Sequence, residues 1–162
     1  LKLENGEPMP TLGQYLEAAK DTKVHLVLEL KPHATPEAET AAAEAVVKMV
    51  GRYGLSKRVT YISFSLHVMK ELARLAPAKT QLMYLGGGTL PKDLKAMGLT
   101  GCDFNYGVYL NNPTWLNDIK ALKMASNVWT VNNPADMIWA IENRVDFITT
   151  DRPDLFLKLT RK

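Results

Sequence analysis

Residues 24–31 read VHLVLELK, an apolar run that ends in an acid and an amine. Successive side chains of a β-strand point to opposite faces of the sheet. One face of this run is apolar and carries Leu26, Leu28 and Leu30. Leucines suit a face that helices cover. The other face, with Val27, Glu29 and Lys31, is therefore predicted to lie on the side of the sheet that is opposite to the helices. The run therefore predicts a buried strand with two charged groups at its carboxyl end.

Five further β-rich runs follow, with helical patterns between them. Consecutive runs start about 18–35 residues apart, which is the length of one strand plus one crossover helix. Several runs are apolar on both faces, which favours parallel strands covered by helices. The six predicted strands are Val24–Leu30, Val59–Ser65, Thr80–Leu85, Cys102–Leu110, Asn127–Asn132 and Val145–Thr150.

A capping residue stands before each predicted helix, which supports the alternation of strands and helices. These residues are Thr11, Thr35, Ser65, Asn112, Asn133 and Asp151. The βαβα order leaves two α/β folds open: a doubly wound sheet, or part of a (β/α)₈ barrel. A full barrel needs about 200–250 residues, so a single domain over residues 1–162 falls short by roughly two βα units.

Composition excludes several classes of protein. The chain is 46% hydrophobic and 23% charged, with a net charge of +3, as in ordinary globular proteins. Its basic residues are scattered, which argues against nucleic acid as a partner. No apolar stretch is long enough for a transmembrane segment, so we expect a soluble protein, with cytoplasm and periplasm both open. The single cysteine, Cys102, excludes an internal disulfide and is interpreted as a small packed residue.

Glu29 and Lys31 are the residues that most directly suggest chemistry. Sites in α/β folds assemble at the carboxyl ends of the strands. A carboxylate there can bind a hard cation, and an ammonium group can hold a phosphate oxygen. The alternative is an exposed ion pair that merely ends an ordinary strand.

Five motifs, in this order, resemble the glycerophosphodiester phosphodiesterase family. They are GEPMPTLGQYLEAA at 6–19, LVLELK at 26–31, ISFS at 62–65, WTVNN at 129–133 and VDFITTDRP at 145–153. The resemblance implies a TIM-type (β/α)₈ barrel, present here as roughly strands three to eight with their helices. It also implies hydrolysis of a glycerophosphodiester to an alcohol and glycerol 3-phosphate, with a divalent cation, Mg²⁺ or Ca²⁺.

The resemblance assigns roles to four residues. Glu29 matches a metal-binding carboxylate of the family, and Lys31 matches a lysine beside the substrate phosphate. Phe64 and Trp129 match aromatic positions that line the mouth of the site and contact substrate. Asp151 matches the closing motif, and we interpret it as the N-cap of the last helix rather than as a functional acid.

The chain departs from the family pattern in its opening motifs. The family's His-Arg strand end, its Glu-x-Asp metal pair and its His-Asp motif do not occur, because His25, His33 and His67 stand in other contexts. We therefore expect an N-terminally incomplete barrel domain without its catalytic histidine pair, inactive by itself. Such a barrel exposes two sheet edges, at Val24–Leu30 and Val145–Thr150, which further polypeptide or self-association would cover.

Two other interpretations remain open. One is a non-catalytic barrel remnant that binds a phosphate or a partner protein through Lys31 and the neighbouring loops. The other is a complete flavodoxin-like binding domain, in which case the order of the motifs is a coincidence.

Overall fold

A computed structural model describes residues 2–160. Its sheet has six strands in the order β1-β2-β3-β4-β5-β6, and every neighbouring pair is parallel. The sheet curls into a half-barrel whose convex face is covered by helices. The strands are β1 (Leu26–Glu29), β2 (Val59–Ser63), β3 (Gln81–Tyr84), β4 (Gly101–Asn105), β5 (Ala125–Trp129) and β6 (Phe147–Ile148).

Helices connect consecutive strands, as the sequence pattern predicts. They are α1 (Leu12–Lys20), α2 (Pro36–Arg52), α3 (Leu66–Leu75), α4 (Pro91–Ala96), α5 (Tyr106–Asn111), α6 (Trp115–Ala121), α7 (Pro134–Glu142) and α8 (Pro153–Thr160). None of the helices within residues 2–160 is long and apolar enough to cross a membrane.

Four of the six predicted N-caps are confirmed, because their side chains accept a backbone N–H of the first helical turn. These residues are Thr11, Thr35, Ser65 and Asn133. Thr11 also forms a capping box, in which the Gln14 side chain accepts the backbone N–H of Thr11 at 2.8 Å. These caps mark the residue at which each of the four helices begins.

The predicted strand Cys102–Leu110 is wrong in its second half. β4 ends at Asn105, whose side chain accepts the backbone N–H of Gly107 at 2.9 Å and starts α5. The helix predicted after Asn112 is displaced for the same reason: Asn112 ends α5, and α6 begins at Trp115 without a side-chain cap. The capping strength of Asn105 outweighs the strand propensity of the residues after it.

Asp151 is not the N-cap of α8, which begins two residues later at Pro153. Its carboxylate instead accepts a hydrogen bond from the Asn132 side chain at 2.8 Å. The same side chain accepts the backbone N–H of Asp151 at 2.9 Å. The two hydrogen bonds between Asp151 and Asn132 therefore join the loop after β6 to the loop after β5.

The core lies between the convex face of the sheet and the helices. Side chains that point outward from the strands are fully buried there, among them Tyr61 and Phe104. On β1, Leu26 and Leu28 pack against this core, whereas Val27 is 56% exposed on the concave side. The predicted division of faces in VHLVLELK is confirmed, and it places Glu29 on the concave side.

The two ends of the sheet, β1 and β6, are edge strands and do not pair with each other within residues 2–160. This agrees with the prediction that Val24–Leu30 and Val145–Thr150 form open edges. An unpaired edge presents free backbone N–H and C=O groups to its surroundings. The identity of whatever covers these edges stays a prediction.

Candidate active site at the carboxyl ends of the strands

Several strand ends surround one cavity of about 260 Å³ on the concave side, which we call the mouth cavity. It brings together all four residues to which the resemblance assigns a role: Glu29 at the end of β1, Lys31 two residues later, Phe64 after β2, and Trp129 at the end of β5. The other residues that line it are Ile62, Leu85, Asp103, Thr130 and Thr149.

Glu29 and Lys31 form an ion pair at the rim of this cavity. The Lys31 ammonium donates to Glu29 Oε1 at 2.7 Å. The Lys31 side chain is 72% exposed and that of Glu29 is 28% exposed, so water screens the pair and its contribution to stability is small. The pair therefore leaves an accessible cation and a partly sheltered carboxylate beside each other.

Phe64 and Trp129 form the aromatic wall of the cavity. Their rings meet edge to face, with centroids 5.8 Å apart and planes at 86°. The Trp129 indole N–H donates to the backbone carbonyl of Asp103 at 3.0 Å, which fixes the ring against β4. The wall offers an apolar surface opposite the charged rim.

Asp103 lines the cavity from the middle of β4 and lies outside the motifs that resemble the family. It is 2% exposed, and Asn127 Nδ2 donates to its Oδ1 at 2.8 Å. Burial raises the pKa of Asp103 to about 6; the Asn127 hydrogen bond opposes this shift, and the Glu29 charge adds to it. The signal was present in GCDFN, because outward-facing Cys102 and Phe104 require Asp103 to point inward.

Asn105 and Tyr106, which follow Asp103, do not reach the mouth cavity. Asn105 caps α5, and Tyr106 packs edge to face against Trp139, 4.9 Å between ring centroids, on the helix side. Cys102 is fully buried, and burial raises the pKa of its thiol to about 12. It is a packed residue, as predicted, and is not a nucleophile.

Hydrogen bonds between side chains and backbone hold the rim in place. Buried Ser63 donates to the carbonyl of Leu30 at 2.7 Å, directly between Glu29 and Lys31. Glu39, 7% exposed on α2, accepts from the Ser65 hydroxyl at 2.7 Å and from the backbone N–H of His33 at 3.2 Å. We call Ser63, Ser65 and Glu39 the rim clamp, because they join the loop after Lys31 to the loop after Phe64.

No histidine lines the mouth cavity in the part of the chain that the structure describes. His25 lies at the opposite end of the sheet and hydrogen-bonds the Thr60 hydroxyl at 2.8 Å. His67 bonds the Thr40 hydroxyl on the helix layer at 2.9 Å, and His33 is exposed. Residues 2–160 also hold no group of three or more His, Cys, Asp or Glu side chains that suits a metal ion.

A larger cavity, about 870 Å³, opens at the amino ends of the strands, and we call it the base cavity. Its basic lining consists of His25, Lys57, Lys79 and Lys123, and no carboxylate and no Phe, Tyr or Trp side chain of the described residues lines it. Size favours the base cavity, but chemistry favours the mouth cavity, which combines acid, amine and aromatic groups. Active sites of parallel α/β folds lie at the carboxyl ends of strands, so we take the mouth cavity as the candidate site.

Comparison with known proteins identifies the family of this chain. The model of the glycerophosphoryl diester phosphodiesterase family matches residues 2–155. A curated relative, the glycerophosphodiester phosphodiesterase of Caldanaerobacter subterraneus subsp. tengcongensis, is 29% identical over 164 residues. The match covers 97% of this chain and 64% of that relative, so the chain spans less than two thirds of its length.

Solved structures show the same fold. The glycerophosphodiester phosphodiesterase of Parabacteroides distasonis superposes with a TM-score of 0.94 at 48% identity, over 98% of this chain and 67% of that one. A phosphodiesterase of Oleispira antarctica, solved with its product sn-glycerol 3-phosphate, superposes with a TM-score of 0.79 at 19% identity. That match covers 92% of this chain and 60% of the other, and it bears on the fold alone.

Proposed function

This chain belongs to the glycerophosphoryl diester phosphodiesterase family, and we propose that the natural protein carrying it hydrolyses glycerophosphodiesters to an alcohol and sn-glycerol 3-phosphate. The observation that carries the proposal is the mouth cavity, where Glu29, Lys31, Phe64 and Trp129 surround one opening. Each of these residues stands in a motif that resembles the family. Together they offer the groups that an anionic, partly apolar diester requires.

We propose that the six strands are strands three to eight of a (β/α)₈ barrel. Their parallel order, their curl and the unpaired edges β1 and β6 support this assignment. Two further βα units between these edges would close the barrel and cover the unpaired backbone groups.

In the proposed site, Lys31 binds a phosphate oxygen of the diester. Its ammonium is exposed at the rim and its position is limited by the ion pair with Glu29. Phe64 and Trp129 would pack against the carbon atoms of the substrate, since their edge-to-face contact fixes both rings. The charge of Lys31 and the apolar rings of Phe64 and Trp129 would together orient the substrate with its phosphate towards the rim.

Glu29 fits a hard divalent cation such as Mg²⁺ or Ca²⁺, because it offers carboxylate oxygens at an accessible rim. Bound there, the cation would neutralise charge on the phosphate. Glu29 supplies one ligand, and residues 2–160 do not complete a set of three. The remaining ligands in this proposal come from outside residues 2–160 or from substrate.

We propose that this chain by itself does not catalyse the reaction. Proton transfer to the leaving alcohol requires a positioned acid or base, and no histidine lines the mouth cavity within the described residues. The same observation favours one second candidate for the isolated chain, namely a non-catalytic module that binds phosphate through Lys31.

The experiment is hydrolysis of glycerophosphocholine by the natural protein in Mg²⁺ or Ca²⁺, followed through release of sn-glycerol 3-phosphate. Turnover should stop with a chelator and fall at least about 100-fold in Glu29→Gln, which removes a charged ligand. The matched control is Glu44→Gln, an exposed acid on α2 that should leave turnover unchanged. A natural protein without activity, or with full activity in Glu29→Gln, would contradict the proposal.

A further inference from the structure

Asp103 is a buried acid that lines the mouth cavity, and the proposed function gives it no role. Asn127 Nδ2 donates to its Oδ1 at 2.8 Å, and its other oxygen, Oδ2, accepts no hydrogen bond from residues 2–160. No fully buried side-chain oxygen in this range lacks a partner, so Oδ2 is accessible from the concave side of the sheet, where Asp103 lines both the mouth cavity and a second cavity of about 220 Å³. One carboxylate oxygen of Asp103 thus faces the concave side of the sheet without a hydrogen-bond donor among residues 2–160.

The fold does not require this charge. An asparagine at position 103 would still accept the hydrogen bond from Asn127, and it would avoid the cost of burying a carboxylate. Asn127 also has a second acceptor, Thr149 Oγ1 at 3.0 Å, so it does not depend on Asp103. The raised pKa of Asp103 reflects this cost. A costly group that packing does not need is a candidate for ligand contact.

The chemistry of the cavity indicates which part of a ligand Asp103 meets. A carboxylate repels a phosphate, and Lys31 at the rim already provides the cation for that group. A hydroxyl group, by contrast, donates to a carboxylate oxygen in a strong charge-assisted hydrogen bond. Trp129 lines the same cavity as Asp103, and its indole N–H donates to the Asp103 backbone carbonyl at 3.0 Å, so an apolar ring lies next to the residue that carries the carboxylate. An acceptor beside an aromatic ring suits a polyol.

We propose that Asp103 binds the glycerol end of the substrate, accepting a hydrogen bond from a glycerol hydroxyl through Oδ2. The residue thereby selects glycerophosphodiesters over phosphate esters that lack hydroxyl groups. This inference rests on the proposed function. It adds a specificity-determining residue at the floor of the cavity to the phosphate-binding and cation-binding groups at the rim.

The test uses the natural protein and its variant Asp103→Asn. Because Oδ1 must keep facing Asn127, the substitution places an amide donor where the acceptor oxygen stood. We expect KM for glycerophosphocholine to rise about tenfold to a hundredfold, with a much smaller change in kcat. Asp103→Ala, which removes both oxygens, should raise KM in the same direction.

Two competitive inhibitors separate recognition of glycerol from loss of structure. sn-Glycerol 3-phosphate should bind the variant about tenfold or more weakly, whereas propyl phosphate, which has no hydroxyl, should change by less than about twofold. The control Asp118→Asn, an exposed acid on α6, should change neither constant. Thermal unfolding of each variant verifies that it is folded.

The outcomes distinguish this inference from the proposed function. A natural protein that does not hydrolyse glycerophosphocholine would overturn both. Hydrolysis with an unchanged KM in Asp103→Asn, or equal weakening of both inhibitors, would overturn the role of Asp103 alone. A shift confined to the cation concentration needed for half-maximal activity would also overturn it, since Asp103 would then act on the metal.

Discussion

At the carboxyl ends of the strands, side chains of opposite charge and two aromatic rings share a cavity of about 260 Å³. At the amino ends, a cavity of about 870 Å³ is lined by three lysines and a histidine, without a carboxylate from residues 2–160. The larger cavity is therefore lined by fewer kinds of functional group than the smaller one. The kinds of side chain that the strand ends bring together, and not the volume enclosed, therefore distinguish the candidate site.

The two ends are also held together by different bonds. At the mouth cavity, the rim clamp fixes the strand ends that carry Lys31 and Phe64. Below the base cavity, the Arg58 guanidinium donates to backbone carbonyls of the segment before β1, including that of Lys20 at 2.9 Å. We therefore expect substitutions at the mouth to change activity, and substitutions at the base to change stability.

The largest expected effect is loss of activity in Lys31→Met. The substitution keeps a long side chain and removes the cation proposed to bind phosphate, so kcat/KM of the natural protein should fall about 100-fold or more. Lys57→Met makes the same change at the base cavity and should leave kcat/KM within about twofold. Equal losses in the two variants would remove the functional distinction between the two ends.

A pH dependence of stability should come from Asp103. Burial raises its pKa from 3.8 to about 6, so the folded protein holds this proton more tightly than the unfolded chain does. Its favourable contribution is therefore complete below about pH 4 and is lost as the pH rises through about 6. The loss corresponds to about 2–3 kcal/mol of unfolding free energy.

Asp103→Asn isolates this titration from those of other acids. Relative to the wild type, the variant should gain about 2–3 kcal/mol of stability between pH 4 and pH 7 in urea unfolding. The same variant should bind the glycerol end more weakly, so stability and recognition would move in opposite directions. A stability difference that is constant with pH would show that Asp103 titrates normally.

Glu39→Ala should destabilise the rim by about 2 kcal/mol, because it removes a buried acceptor and leaves the His33 N–H without its partner. Denaturant unfolding measures the loss, and hydrogen exchange at the His33 amide should become faster. Glu44→Ala on the same helix is exposed and should cost less than about 0.5 kcal/mol. Unchanged exchange at His33 would mean that Glu39 does not hold this loop.

The smallest effect is expected for Arg58→Ala at the base. Its guanidinium loses hydrogen bonds to several partly solvated carbonyls, so the unfolding free energy should fall by about 1–2 kcal/mol. Activity of the natural protein should stay within about twofold. An activity loss comparable with that of Lys31→Met would show that the base contributes to the site.

Much of this arrangement was predictable from local patterns. The alternation in VHLVLELK fixed the concave face of β1 and so the direction of Glu29. Caps such as Thr35 and Ser65 marked where helices begin. Both signals depend on neighbours within a few residues, which is the range over which strand alternation and helix capping act. The Cys102–Leu110 error arose where two local preferences compete and the Asn105 cap prevails.

Local sequence patterns were sufficient to predict the alternation of strands and helices, the family and the positions of Glu29 and Lys31. Tertiary structure alone decided that Asp103 meets Asn127 across 24 positions, and that Glu39 joins two loops through Ser65, 26 residues away. A buried acid is hydrogen-bonded only if a neighbouring strand places a donor beside it. Local sequence patterns do not specify which residues of two strands lie next to each other. For this reason the floor of the cavity and the rim clamp emerged only when the strands were assembled.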